Sequence, residues 1–124
     1  MKEIIISLPF PPSVNAMWRS INGRTILSKK GREYRQFAVA ILEGTVEIEN
    51  MITDKVSVKL VLQPPTARKF DIDNFTKAIF DALTHAKIWE DDELVYHMEI
   101  FKGKKIEGGL AVLTIKPWED KDEN

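Results

Sequence analysis

The chain has 124 residues, 44% of them hydrophobic and 30% charged, with no cysteine and a net charge of −1. That describes one ordinary globular domain, and it excludes a disordered chain, a disulfide framework and any thiolate metal site. The longest apolar run, Phe37 to Leu42, is far too short to span a membrane. The apolar start Ile4-Ile5-Ile6-Ser7-Leu8 is stopped by Pro9 and Pro11-Pro12, so no targeting segment is expected and the cytoplasm is the default.

In chain order, Glu3 to Leu8 reads as a first strand ended by the prolines. Residues 13–28 read as a loop or loose hairpin turning at Ile21-Asn22-Gly23-Arg24. Ser28 suits the N-cap of a helix from Lys29 to about Thr45, with Tyr34, Phe37, Ala38, Ile41 and Leu42 as its apolar stripe. Lys55 to Gln63 alternates, placing Val56, Val58, Leu60 and Leu62 on one buried strand face. A second helix is expected from about Asp73 to Ala86, with Phe75, Ala78, Ile79, Ala82, Leu83 and Ala86 inward. Leu94 to Lys102 and Leu110 to Lys116 follow as strands around a Gly- and Lys-rich turn. The order predicts a single α+β domain over residues 1–118, a mixed sheet with two main helices packed on it, then an acidic tail over 119–124 that frays.

Charge is unevenly distributed. Residues 1–69 carry 11 Lys/Arg against 6 Asp/Glu, while residues 70–124 carry 7 against 13. A basic segment beside an acidic cluster can meet a polyanion and hold a divalent cation together. Each charge run taken alone is more simply a solvated surface. Asp71-Ile72-Asp73-Asn74 is the most informative stretch. In extended chain Asp71 and Asp73 project to one side, whereas in a helix they diverge by about 200°. Within the expected helix Asp73, Lys77 and Asp81 share one face at i, i+4, i+8, which is either a lysine poised over carboxylates or a plain surface ion-pair row. Glu90-Asp91-Asp92-Glu93 places four acids in one turn, where they repel unless neutralised. Carboxylates from both segments would give the all-oxygen donor set of Mg²⁺ or Mn²⁺, suited to phosphodiester hydrolysis.

Four pieces together resemble the RusA family of Holliday junction resolvases: Pro9-Phe10-Pro11-Pro12-Ser13-Val14-Asn15, Asp71-Ile72-Asp73-Asn74-Phe75-Thr76-Lys77, Phe80-Asp81-Ala82-Leu83 and Trp89-Glu90-Asp91-Asp92. The resemblance runs from Ile4 to Ile115. It implies a Mg²⁺-dependent homodimeric endodeoxyribonuclease, Mn²⁺ substituting, often carried by prophages, that cuts opposed strands of a four-way DNA junction in recombination and repair. The family's essential aspartates match Asp71, Asp73 and Asp92, its essential lysine matches Lys77, and Asp91 matches a neighbouring acid. One departure concerns charge: only Arg68 and Lys69 precede the first motif aspartate, where the family carries a denser basic run.

DNA contacts are expected from Asn15, Arg19, Arg24, Lys29, Lys30, Arg32, Arg35, Arg68, Lys69, Lys104 and Lys105, with Lys102 among the phosphate-neutralising lysines. No membrane partner is expected. Two other readings stand beside this one: a non-catalytic branched-DNA-binding module of the same fold, and a protein-interaction domain whose acids are only a solvated turn. Trp18, Trp89, Met17, Met51 and Met98 read as packing residues, His97 as structural or surface, and Trp118 as a residue near a dimer contact.

Overall fold

The computed structural model describes residues 2–45 and 50–119. The acidic tail beyond Glu119 therefore lies outside the described residues. Strand β1 (Ile4–Leu8) leads to a one-turn helix α1 (Val14–Met17) and a hairpin, β2 (Trp18–Ile21) and β3 (Arg24–Leu27). Helix α2 (Lys29–Glu43), strand β4 (Val56–Gln63), helix α3 (Thr76–His85) and strands β5 (Val95–Lys102) and β6 (Leu110–Pro117) complete the chain. The result is a small α+β domain with a mixed sheet, as the patterning predicts, and with three helices among the described residues where two main ones are expected.

The main sheet has the order β1-β6-β4-β5. β6 runs antiparallel to both β1 and β4, while β4 and β5 are parallel. A parallel pair needs a long crossover, and here it carries both acidic segments and α3. Alternation decides which strand face meets the helices: Val56, Val58, Leu60 and Leu62 are all fully buried. They join Ile4, Ile6 and Leu8 of β1, Leu113 and Ile115 of β6, and the inward faces of α2 and α3 in one core.

Asn22 and Gly23 both take positive φ, 50° and 76°, which is the two-residue hairpin geometry expected for that dipeptide. Ser28 caps α2, its Oγ accepting from the Gly31 N–H at 3.0 Å. Gly31 is there for closeness: a Cβ would stand 2.5 Å from the Met17 carbonyl oxygen, where α1 meets the first turn of α2. Tyr34 spans to the chain after β1, its buried hydroxyl donating to the Pro9 carbonyl at 2.8 Å.

Some expectations need correcting. Helix α1 was expected to be loop; it is one turn, capped by Ser13. Phe37 does not belong to the buried stripe of α2, being 61% exposed. The buried residues Gly31, Tyr34, Ala38 and Leu42 centre the inner face about 100° round the helix from Phe37. Met51 and Met98 are exposed rather than packed, Met98 because β5 is the sheet's edge strand. Met17 and Trp89 are fully buried as packing residues. His97 is a structural residue whose Nδ1 lies 2.7 Å from Ser57 Oγ, and its ring is stacked by Trp118.

Candidate active site

The crossover from β4 to β5 sets the acidic residues. After Pro64-Pro65 the chain passes exposed Arg68 and Lys69 and reaches Asp71 in extended conformation, φ −86° and ψ 127°. It then tightens into a 3-10 turn over Ile72–Asn74, closed by the Asn74 N–H on the Asp71 carbonyl at 3.2 Å. The sequence expectation placed Asp73 in helix; it lies in this turn, and α3 begins only at Thr76. Asp71 and Asp73 therefore do not share one stretch of extended chain, and the i, i+4, i+8 face of Asp73, Lys77 and Asp81 does not exist. Phe75 stands at the N-cap position of α3, and its ring packs on Phe10 and Phe70.

Asp81 has a different role as well. It takes two hydrogen bonds of 2.8 Å from Arg35, Nε to Oδ2 and Nη2 to Oδ1, across the α2–α3 contact. His85 Nε2 lies 3.9 Å from the same carboxylate. The Arg35 guanidinium is thus committed within the protein, which leaves it poorly placed for the DNA contact expected of it. Lys77 sits exposed on the first turn of α3, free of either aspartate.

The second acidic segment returns along α3. The Ile88 N–H bonds the Leu83 carbonyl, Trp89 Nε1 donates to Thr84 Oγ1 at 2.9 Å, and the Trp89 ring meets Phe80 edge-on at 5.2 Å. All three contacts fall on Phe80, Leu83 and Thr84 of α3, so the chain at Ile88 and Trp89 folds back against this helix before it reaches Asp92. The 3-10 turn Asp92–Leu94 then packs against α3, and the turn at Ile72–Asn74 packs against β5. Geometry separates the adjacent acids: Asp91 Oδ1 accepts the Asp92 N–H at 2.9 Å and so builds the turn, while the half-buried Asp92 carboxylate makes no such bond.

Among the described residues, the side chains of Asp71, Asp73, Lys77 and Asp92 have no hydrogen-bond or ion-pair partner. Nor, among those residues, are three Asp, Glu or His side chains gathered into a group that could hold a metal ion. Both acidic segments thus lie on the β4–β5 crossover, one turn against β5 and the other against α3, and their carboxylates do not close around a point.

The basic residues lie on several surfaces. Arg19 and Arg24 are exposed on the hairpin, and Asn15 is exposed on α1. Lys29 and Lys30 open α2 in the open, with Lys29 4.0 Å from Glu33. Arg32 donates to the Leu27 carbonyl, and Lys104 and Lys105 stand exposed in the β5–β6 connection.

Residues 9–116 match the family model described as Endodeoxyribonuclease RusA. The chain belongs to the RusA family. It is 37% identical over 115 residues to the crossover junction endodeoxyribonuclease rusA of Enterobacteria phage 82, covering 93% of this chain and 95% of the relative. The like-named proteins of Enterobacteria phage HK97 and of Escherichia coli O139:H28 are 32% and 36% identical over the same shares. The RusA assignment makes the chain an endodeoxyribonuclease, a nuclease acting on phosphodiester bonds. Among the described residues, no helix is long and apolar enough to cross a membrane.

Proposed function

We propose that this RusA-family chain is a Mg²⁺-dependent, structure-selective endodeoxyribonuclease that resolves four-way DNA junctions as a homodimer, in cytoplasmic recombination and repair. The observation that carries the reading is the set of unpartnered side chains on one crossover. Among the described residues, Asp71, Asp73, Asp92 and Lys77 have no hydrogen-bond or ion-pair partner, and a pure binding module gains nothing from acids that would face phosphate. The names of the curated relatives supply the substrate: junction DNA.

The donor chemistry fits a hard cation, since all three candidate ligands are carboxylates that the fold leaves unclaimed. Asp71, Asp73 and Asp92 would hold Mg²⁺, with Mn²⁺ as a substitute. Bound there, the ion would polarise the phosphoryl oxygen and lower the pKa of a water. The protein's own contributions are positional and electrostatic. Arg68 and Lys69, immediately before Asp71, neutralise backbone phosphates entering the site. Lys77 presents an ammonium to the charge that builds on the scissile phosphate. Arg19, Arg24, Lys29, Lys30, Lys104 and Lys105 hold the flanking duplex arms, which fixes orientation without reading base edges. Two opposed cuts call for two sites related by a two-fold axis, hence two copies.

The deciding experiment is cleavage of a synthetic four-way junction in Mg²⁺ by the wild type and by Asp71→Asn and Asp73→Asn. Each substitution should abolish cleavage and leave junction binding unchanged or tighter, because each also removes a negative charge facing DNA. Near-normal cleavage by either variant overturns the metal-site reading. Junction binding by a wild type that cuts nothing favours the binding module instead. Sedimentation at micromolar concentration should give a dimer.

A further inference from the structure

The acidic loop is pinned at its base. Phe70 stands immediately before Asp71 and Phe75 immediately after Asn74, and their rings meet edge-to-face with centroids 5.2 Å apart. Phe10, from the proline-rich turn after β1, closes the cluster at 5.9 Å from Phe70 and 5.3 Å from Phe75. Segment 71–74 thus leaves and re-enters the fold through one apolar knot.

That knot is tied to β5 by a lysine. Lys102, the last residue of β5, donates from Nζ to the Phe70 carbonyl at 2.5 Å and lies over the Phe70 ring, 4.6 Å from its centroid. Its backbone stands on a fixed base, for the next residue, Gly103, bonds the Leu62 carbonyl of β4 at 2.7 Å. The carbonyl that Lys102 holds belongs to the peptide joining Phe70 to Asp71. A planar peptide moves as a unit, so fixing this oxygen fixes the plane from which Asp71 departs. A lysine serving a phosphate would point away from the protein; this one is turned onto its own backbone and a ring face.

We propose that Lys102 is a positioning residue, which together with the Phe10–Phe70–Phe75 cluster sets the Asp71–Asn74 loop against β5. The catalytic part of this role rests on the reading of Asp71 and Asp73 as the reactive carboxylates; the structural part does not.

The test uses the full chain with Lys102→Met, which keeps the aliphatic stem, and Lys102→Arg, which restores a donor and a cation. Amide hydrogen exchange should show at least tenfold faster exchange at Asn74, whose N–H closes the 3-10 turn, with β4 and the middle of α3 unchanged; Lys102→Arg should restore most of the protection. The single-turnover rate on junction saturated with enzyme should fall about ten- to a hundredfold in Lys102→Met, the scale of a small misplacement of reacting groups. Junction affinity and its salt dependence should stay as in the wild type. Unchanged exchange at Asn74 overturns the proposal whatever the activity. A normal single-turnover rate with the salt slope lowered by about one also overturns it, because Lys102 is then a phosphate contact. If the wild type cuts no junction but Lys102→Met still frees Asn74, the functional reading fails while the role of Lys102 in setting the loop is upheld.

Discussion

Arg35 offers a sharp test, because sequence and structure assign it different work. Its guanidinium makes two 2.8 Å bonds to Asp81, with side-chain exposures of 28% and 15% for the two partners. Charge-assisted bonds each contribute about 1.5–3 kcal/mol net when sheltered. Partial exposure and the desolvation of both groups reduce that, leaving a coupling of about 2 kcal/mol for the pair. Asp81→Ala should destabilise by about 2–3 kcal/mol, since it strands a partly buried cation. For a domain of this size that is roughly 8–12 °C of melting temperature. The assay is a double-mutant cycle by urea denaturation with Arg35→Met, Asp81→Ala and both together. Junction binding against salt is measured on Arg35→Met in parallel and should keep the wild-type slope. A coupling below about 0.5 kcal/mol, together with a slope reduced by about one, would refute the structural role and return Arg35 to the DNA.

Lys77→Ala should slow single-turnover cleavage about a hundredfold or more, as loss of a transition-state contact does, while stability shifts by less than about 0.5 kcal/mol because the side chain has no partner to lose. A rate within about threefold of wild type would reduce Lys77 to an exposed helix residue. Tyr34 gives a pH prediction: burial pushes its phenol well above the ordinary value of 10.0. The unfolded chain then releases this proton first, so stability is intact below about pH 10 and falls above it by up to about 1.4 kcal/mol per pH unit. Denaturation from pH 9 to 11 should show that extra slope in the wild type and not in Tyr34→Phe; equal slopes would rule the linkage out.

What the sequence made legible followed from repetition. Val56, Val58, Leu60 and Leu62 alternate long enough to fix both strand and buried face, and Asn22-Gly23 carries its turn geometry in its residue types. Helix α1 was not legible because four residues between Pro12 and a hairpin are too few to show a period. Asp73 was placed in helix because a 3-10 turn leaves the same local signature as a helix start. Phe37 fits the apolar spacing by residue type, and only the packed partners of α2 show that it is off-centre. Arg35 reads as surface charge because its partner lies on another helix. The difference between Asp91 and Asp92 is one backbone bond, and residue type does not encode it.

The sheet order has a consequence for the life of the nascent chain. Among the described residues β1 pairs with β6 alone, Ile4 lying opposite Ile115, so β1 waits for a strand made much later. Until β6 leaves the ribosome, the inner face of β1 has no sheet to join, and β4 lacks its antiparallel neighbour. Such long sequence separation slows folding. It also means that an incomplete chain, though already carrying Asp71 through Asp92, cannot complete the sheet that supports the crossover. A DNA-cutting enzyme wired in this way acquires the sheet beneath its crossover only once β6 has been made.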